Sequence, residues 1–152
     1  MAQHQPDCDI CEQIAACRAG EHPRMIAEME SGFAVLGPHQ FFVGYSLLLC
    51  SEPATEVDDL EPLFCRQFLH DLTRLSRAVR RVVRPHKVNL ESLGNVCHHL
   101  HWHVFPRFLE EEQANSPVWN IMPEGAAMEP YLFRPETHQA LILAIRTELS
   151  HG

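Results

Sequence analysis

Three observations predict an α+β fold built on an antiparallel sheet. One long helix-period segment occupies residues 61–84, and strand-like runs cluster before and after it instead of alternating with helices. Size is the third: 152 residues, 45% apolar and 21% charged, suit a single domain over residues 1–152 with one buried core.

The elements follow in order. Residues 8–18 are helix-compatible and Gly20 closes them as a C-terminal stop. Residues 25–29 and 33–36 read as short strands split by Ser31-Gly32, and Gly37-Pro38 marks a second turn. The run at residues 45–50 suits a strand buried on both faces, and the polar stretch to residue 59, with Pro53, reads as a loop. In the long helix, Phe64, Phe68, Leu72, Leu75, Val79 and Val82 fall within an arc of about 80°. Arg66, Arg74, Arg77, Arg80, Arg81 and Arg84 lie opposite, as a solvated back that also suits the negative end of the helix dipole. Pro85 ends the helix. Residues 87–93 alternate weakly, Gly94 interrupts, and residues 99–105 form a strand that Pro106 ends. Residues 110–130 read as an ordered loop. Pro135 sits at the first position of a final helix whose buried face is Leu141, Ala144, Ile145 and Leu149.

Charge narrows the function. With 12 Lys+Arg against 20 Asp+Glu, the net charge of -8 argues against a nucleic-acid coat or an anionic-membrane binder, so any phosphate must be held by a local cluster. No apolar run is long enough for a bilayer, and the N-terminal residues lack a basic and an apolar region. A cytoplasmic protein is expected, with Cys8, Cys11, Cys17, Cys50, Cys65 and Cys97 reduced.

The densest chemical signal is His98-His99-Leu100-His101-Trp102-His103. In a strand His99, His101 and His103 project to one face, spaced about 7 Å apart, while Leu100, Trp102 and Val104 face the core. Such a row suits either metal ligation or nucleophilic attack on phosphorus, with neighbouring imidazoles donating to the developing charge. Spacing alone leaves both open. Gly94-Asn95 upstream and Arg107 downstream fit an anionic substrate better than a bare metal. The isolated His39, His70, His86 and His138 read as surface residues, and Trp102 and Trp119 as packing residues.

His99-Leu-His101-Trp-His103-Val104-Phe105, with Pro106-Arg107 after it, resembles the His-x-His-x-His signature of the histidine triad (HIT) family. The longer stretch from Asn89 through Gly94-Asn95 to Pro106-Arg107 resembles its phosphate-binding segment, and Gln40-Phe-Phe-Val-Gly44-Tyr45 its approach to the residue 47–49 strand. The likeness covers about residues 8–108, leaving residues 109–152 as a C-terminal loop and helix. It implies a twisted antiparallel sheet of about five strands, with one long and one or two shorter helices, paired into a homodimer. It also implies a nucleotide hydrolase or phosphoramidase cleaving at an α-phosphorus, with a purine nucleotide such as adenosine phosphoramidate or a dinucleoside polyphosphate as partner. By position His101 is the nucleophile that forms a nucleotidyl-histidine, oriented by the main-chain carbonyl of His99, and His103 bonds the phosphate or the leaving atom. Asn89, Gly94 and Asn95 are the implied nucleotide contacts, and no cofactor is required.

Pro53 falls where many members carry a loop histidine, Gly37-Pro38 where many hold the ribose with an acid, and Val96 where others have Ser or Thr. A nucleotide-binding module with little catalysis is therefore the alternative. A third reading makes the three imidazoles ligands of a hydrolytic zinc. Cys8-Asp-Ile-Cys11 has the spacing of half a zinc site, which zinc-binding relatives complete with the loop histidine and the first triad histidine. With Pro53 there, only Cys8, Cys11 and His99 remain, unless Cys50 supplies the fourth ligand. The pair is read as reduced thiols, structural zinc is the less favoured reading, and no metal ligand is assigned.

Overall fold

The computed structural model describes residues 7–151. Five strands form one antiparallel sheet: β1 Met25–Glu28, β2 Gly32–Leu36, β3 Ser46–Cys50, β4 Lys87–Glu91 and β5 His101–Arg107, in spatial order β1-β2-β3-β5-β4. Four helices accompany it: α1 Asp9–Ala19, α2 Pro62–Val83, α3 Val118–Ile121 and α4 Pro135–Ser150. This is the predicted fold class. No helix among the described residues is long and apolar enough to cross a membrane.

Both faces of the central strands are buried, and the strand period sorts their side chains. Ala34, Leu36, Leu48, Cys50, Leu100 and Val104 pack with Phe68, Leu72, Leu75 and Val79 of α2 and with Ile142, Ile145 and Leu149 of α4. Phe33, Val35, Leu47, Leu49 and Phe105 pack on the opposite face with Ile10, Ile14 and Cys17 of α1 and with Val118 of α3. The helix face read from the sequence is the buried face of α2. Glu61 caps that helix, its carboxylate accepting from the Leu63 and Phe64 amides at 2.9 and 3.4 Å. The chain leaves through Arg84 in the left-handed region.

One charge interrupts the α2 face. Asp71 is fully buried and accepts from the Ser31 amide and hydroxyl at 2.9 and 2.6 Å, which fastens the β1–β2 turn to α2. Arg74 stands 3.4 Å from it. At the same turn Gly32 has no substitute, because a Cβ there would lie 1.8 Å from the Leu49 carbonyl oxygen.

Three expectations need correction. β5 starts only at His101, leaving His99 before the strand, and runs through Pro106 to Arg107; β3 pairs with it only as far as Val104, so on that side the proline lies on a free edge and breaks no ladder. The buried face of α4 is centred on Ile142, Ile145 and Leu149, while Leu141 and Ala144 are half-buried, because α4 must satisfy both α2 and β1. Residues 110–130 hold α3 and a 3-10 turn at Gly125–Tyr131.

Candidate functional site

β5 supplies the centre of the site. His101 lies opposite Leu49 and His103 opposite Leu47 on β3, with Glu91 of β4 on His103's other flank, so both imidazoles stand on the α1 face of the sheet. They line one wall of a cleft of about 560 Å³, within the range of small-molecule sites. Asp9, Ile10 and Gln13 of α1 form the opposite wall, residues 93–97 one end, and Arg24, Pro38, Tyr45 and Trp119 the rest. A depression of similar size at residues 52–64 carries Glu52, Asp59 and Glu61 and would repel an anion.

Hydrogen bonds fix opposite tautomers on the two imidazoles. His101 Nδ1 is 2.6 Å from the His99 carbonyl, which can only accept; Nδ1 therefore carries the proton and Nε2 a lone pair. His103 Nδ1 is 2.8 Å from the Tyr45 hydroxyl. Burial raises the Tyr45 phenol well above its ordinary range, so it keeps its proton, and among the described residues the hydroxyl has no other acceptor than His103 Nδ1; that assigns Tyr45 as donor and the His103 proton to Nε2. Burial foremost, with the neighbouring His101 and His39 imidazoles disfavouring a further positive charge, pushes the His103 imidazole down to about 4 and keeps it neutral. The two ring centroids are 4.9 Å apart, closer than straight strand spacing predicts because the rings meet edge-on. One ring thus offers an electron pair and its neighbour an N–H.

Tyr45 is a functional residue that sequence reasoning missed. Its ring stacks on Phe105 at 4.2 Å and occupies the space beside Gly37, where a Cβ would lie 2.2 Å from it. The departure at Gly37 therefore has a packing reason: a side chain there would displace the ring that orients His103. Buried Gln40 holds this turn, its amide group donating to the His39 and Tyr45 carbonyls at 2.9 and 3.0 Å and accepting from the Gly44 amide at 2.9 Å. The Gln40-to-Tyr45 motif carried a signal, but its contacts required the fold.

The predicted residues separate. Gly94 and Asn95 line the cleft beside His101 and His103. Asn89 does not: it pairs with Phe105, farther along the strands than Glu91 and His103, and its Oδ1 accepts from Arg107 at 2.9 Å in a separate depression. Arg107, read as facing an anionic substrate, is instead a buried tie: it bonds Glu111 at 2.9 Å and the Ser116 carbonyl at 2.9 Å, and lies over the Phe42 ring. His39, expected at the surface, is buried against Tyr45, where it packs at 5.0 Å. Trp119 packs edge-on against His103 and also forms an open wall of the cleft, its indole N–H donating to Glu91.

His99 turns away from its two companions. Its Nε2 is 2.8 Å from the Cys50 carbonyl, so Nε2 carries the proton and Nδ1 presents a lone pair, 3.1 Å from Cys11 Sγ. Cys8, at the start of α1, accepts from the Cys11 amide at 3.4 Å. The donor atoms of Cys8, Cys11 and His99 all lie within 4.8 Å of one another, the only such group found among the described residues. These three fit a metal as donors. The three triad imidazoles form no such group, which removes the reading of them as joint ligands of a hydrolytic zinc.

Residues 22–110 match the HIT domain. The chain belongs to the HIT family. Solved structures similar to it include a histidine triad protein from Bradyrhizobium japonicum, 23% identical, with a TM-score of 0.70 and coverage of 87% of this chain and 94% of that one. A zinc-bound histidine triad family protein from Mycobacterium smegmatis is 20% identical, with a TM-score of 0.62 and coverage of 95% and 96%. The diadenosine triphosphate hydrolase of Plasmodium falciparum, solved with Cyclomarin A, is 10% identical, with a TM-score of 0.58 and coverage of 85% and 78%. No curated protein matches the chain significantly. At these identities the structures speak for the shared HIT fold.

Proposed function

We propose that this HIT protein is a nucleotide hydrolase or phosphoramidase that works through a nucleotidyl-histidine on His101. The observation that supports this reading is the pair of ring contacts in one cleft, His101 Nδ1 on the His99 carbonyl and His103 Nδ1 on the Tyr45 hydroxyl, which assign a lone pair to His101 Nε2 beside an N–H on His103 Nε2. His101 Nε2 attacks the α-phosphorus, the P–N bond forms, and the bond to the leaving group breaks. The ring becomes cationic, and its Nδ1–H bond to the His99 carbonyl stabilises that charge. Neutral His103 donates a hydrogen bond to the phosphoryl or departing atom, and solvent supplies the leaving group's proton. Water then attacks phosphorus, releases the nucleoside monophosphate and restores His101.

Gly94 and Asn95, which line the cleft, are the proposed phosphate contacts, and a purine nucleotide or dinucleoside polyphosphate is the proposed substrate. No cofactor enters these steps; a metal held by Cys8, Cys11 and His99 would lock α1 onto the sheet and take no part in the chemistry. A two-fold homodimer, implied by the family, is part of the proposal, and sedimentation checks it.

The deciding experiment measures AMP release from adenosine phosphoramidate and from diadenosine tetraphosphate, with the wild type and His101→Ala in parallel. Turnover by the wild type alone supports the reading, and the preferred substrate sets the subclass. AMP binding without turnover of either substrate would favour the binding-module alternative.

A further inference from the structure

We propose that Cys97 is the fourth ligand of a zinc ion held by Cys8, Cys11 and His99, and that this ion fastens residues 94–97 of the cleft wall to helix α1. The proposal starts from a contact. Cys97 Sγ lies 3.5 Å from Cys8 Sγ, and Cys11 Sγ lies 3.1 Å from His99 Nδ1. In a tetrahedral site with zinc–sulfur bonds of about 2.3 Å and zinc–nitrogen bonds of about 2.0 Å, sulfur–sulfur edges are about 3.8 Å and sulfur–nitrogen edges about 3.5 Å. Two opposite edges of such a tetrahedron are therefore present, slightly contracted, while Cys97 Sγ still lies outside the group of donor atoms that Cys8, Cys11 and His99 form within 4.8 Å. Cys97 reaches the cluster through Cys8, and closing the site draws its thiol toward Cys11 and His99. Asn95 and Val96 before it are exposed, and Cys97 only borders the α1-face core, so the adjustment is confined to the edge of that cluster.

The other cysteines are excluded by where the fold puts them: Cys17 lies near the C-terminal end of α1, away from Cys8 and Cys11 at its start. Cys50, the fourth ligand weighed from the sequence, packs in the opposite core layer with Leu48 and Phe68, and only its carbonyl reaches His99. Cys65 is on α2, also against that layer, and Pro53 has no donor group. Three sulfurs and one imidazole nitrogen are a soft donor set that suits zinc in a closed, four-coordinate site. The backbone orients two of the donors: the Cys11 amide points at Cys8 Sγ, and the Cys50 carbonyl holds the His99 lone pair toward the sulfurs. Zinc binding releases the thiol protons to solvent and changes no oxidation state.

The consequence reaches the cleft. Cys97 ends the segment that carries Gly94 and Asn95, and Cys8 adjoins Asp9 and Ile10 on the opposite wall. A bound ion joins the two walls directly, so its loss should weaken substrate binding more than chemistry. This inference does not depend on the proposed reaction.

The test is metal analysis and X-ray absorption on full-length protein purified under reducing conditions and loaded with one equivalent of zinc. Three sulfurs and one nitrogen around zinc are expected. Two sulfurs with nitrogen and oxygen ligands, or failure to take up zinc, would overturn the proposal. So would a Cys8–Cys97 disulfide that persists under those conditions. In Cys97→Ser, chelator competition should show zinc affinity falling by more than the roughly 10- to 100-fold lost when a partner behind a ligand is removed. Sulfur-to-cobalt charge transfer in the cobalt-loaded form should fall by about a third, as expected when one of three thiolates is lost. Cys50→Ser should change neither. Unchanged affinity and unchanged charge transfer in Cys97→Ser would sink the assignment.

Discussion

The two faces of this sheet are both buried but are built from different residue types. The α2–α4 face is mainly apolar, with Asp71 and Ser46 buried on it and Phe68, Leu75, Val79 and Ile145 fully buried. The α1 face carries His99, His101, His103, Tyr45 and the Cys8–Cys11–Cys97 sulfurs among its apolar neighbours. Along residues 99–104 the two characters alternate residue by residue. The comparison teaches that one strand can serve stability with one row of side chains and chemistry with the other, provided every polar group on the chemical row has a fixed partner.

Substitutions should respect that division. The largest effect is expected from His101→Ala, which should cut AMP release by about 10⁴-fold or more while shifting unfolding free energy by less than about 1 kcal/mol. Phe68→Ala on the opposite face should do the reverse. It should cost about 3–5 kcal/mol in chemical denaturation and leave turnover per folded molecule unchanged. Asp71→Ala should cost about 2–4 kcal/mol, because the buried Ser31 amide and hydroxyl lose their acceptor. Turnover that fell in step with stability in the last two variants would break the division.

Acid sharpens it. Burial holds folded His22 and His103 at about 4, below the ordinary histidine value of 6.5. Between pH 6.5 and 4 the unfolded chain binds protons that the folded chain refuses. The stability they contribute is complete above about pH 6.5 and is lost as pH falls toward 4, at up to about 1.4 kcal/mol per pH unit for each imidazole. Denaturation midpoints across that range check the sign, and His103→Gln should flatten the slope. The smallest effect is expected from Tyr45→Phe. It removes the donor to His103 Nδ1 and should lower turnover about tenfold, with nitrogen NMR showing His103 no longer confined to one tautomer.

The α2 face was legible because six apolar residues at helical spacing leave little choice of orientation, and Gly20, Pro85 and Pro135 mark helix ends. The His101–His103 pair was legible for the same kind of reason, since strand period places them together. His99 was not. It ranked with its companions by spacing, yet its ring is turned by the Cys50 carbonyl and Cys11, which are remote in sequence. Asn89 and Arg107 were misplaced because adjacency to a motif says nothing of which residue an exposed-looking polar group meets across a sheet. Tyr45 carried no chemical signature of its own; its role exists only because Gly37 leaves room for its ring.

The sequence by itself determined the fold class, the course of α2, the placement of His101 and His103 on one strand face, and the likeness to the HIT family. These depend on local periodicity and short motifs, which the backbone's two repeats translate directly into position. Only the tertiary structure decided which tautomer each imidazole holds, that Arg107 is a structural tie, and that Cys97 meets Cys8. Those depend on partners such as Tyr45 with His103 or Cys8 with Cys97, 58 and 89 residues apart, whose meeting is set by strand order and helix packing.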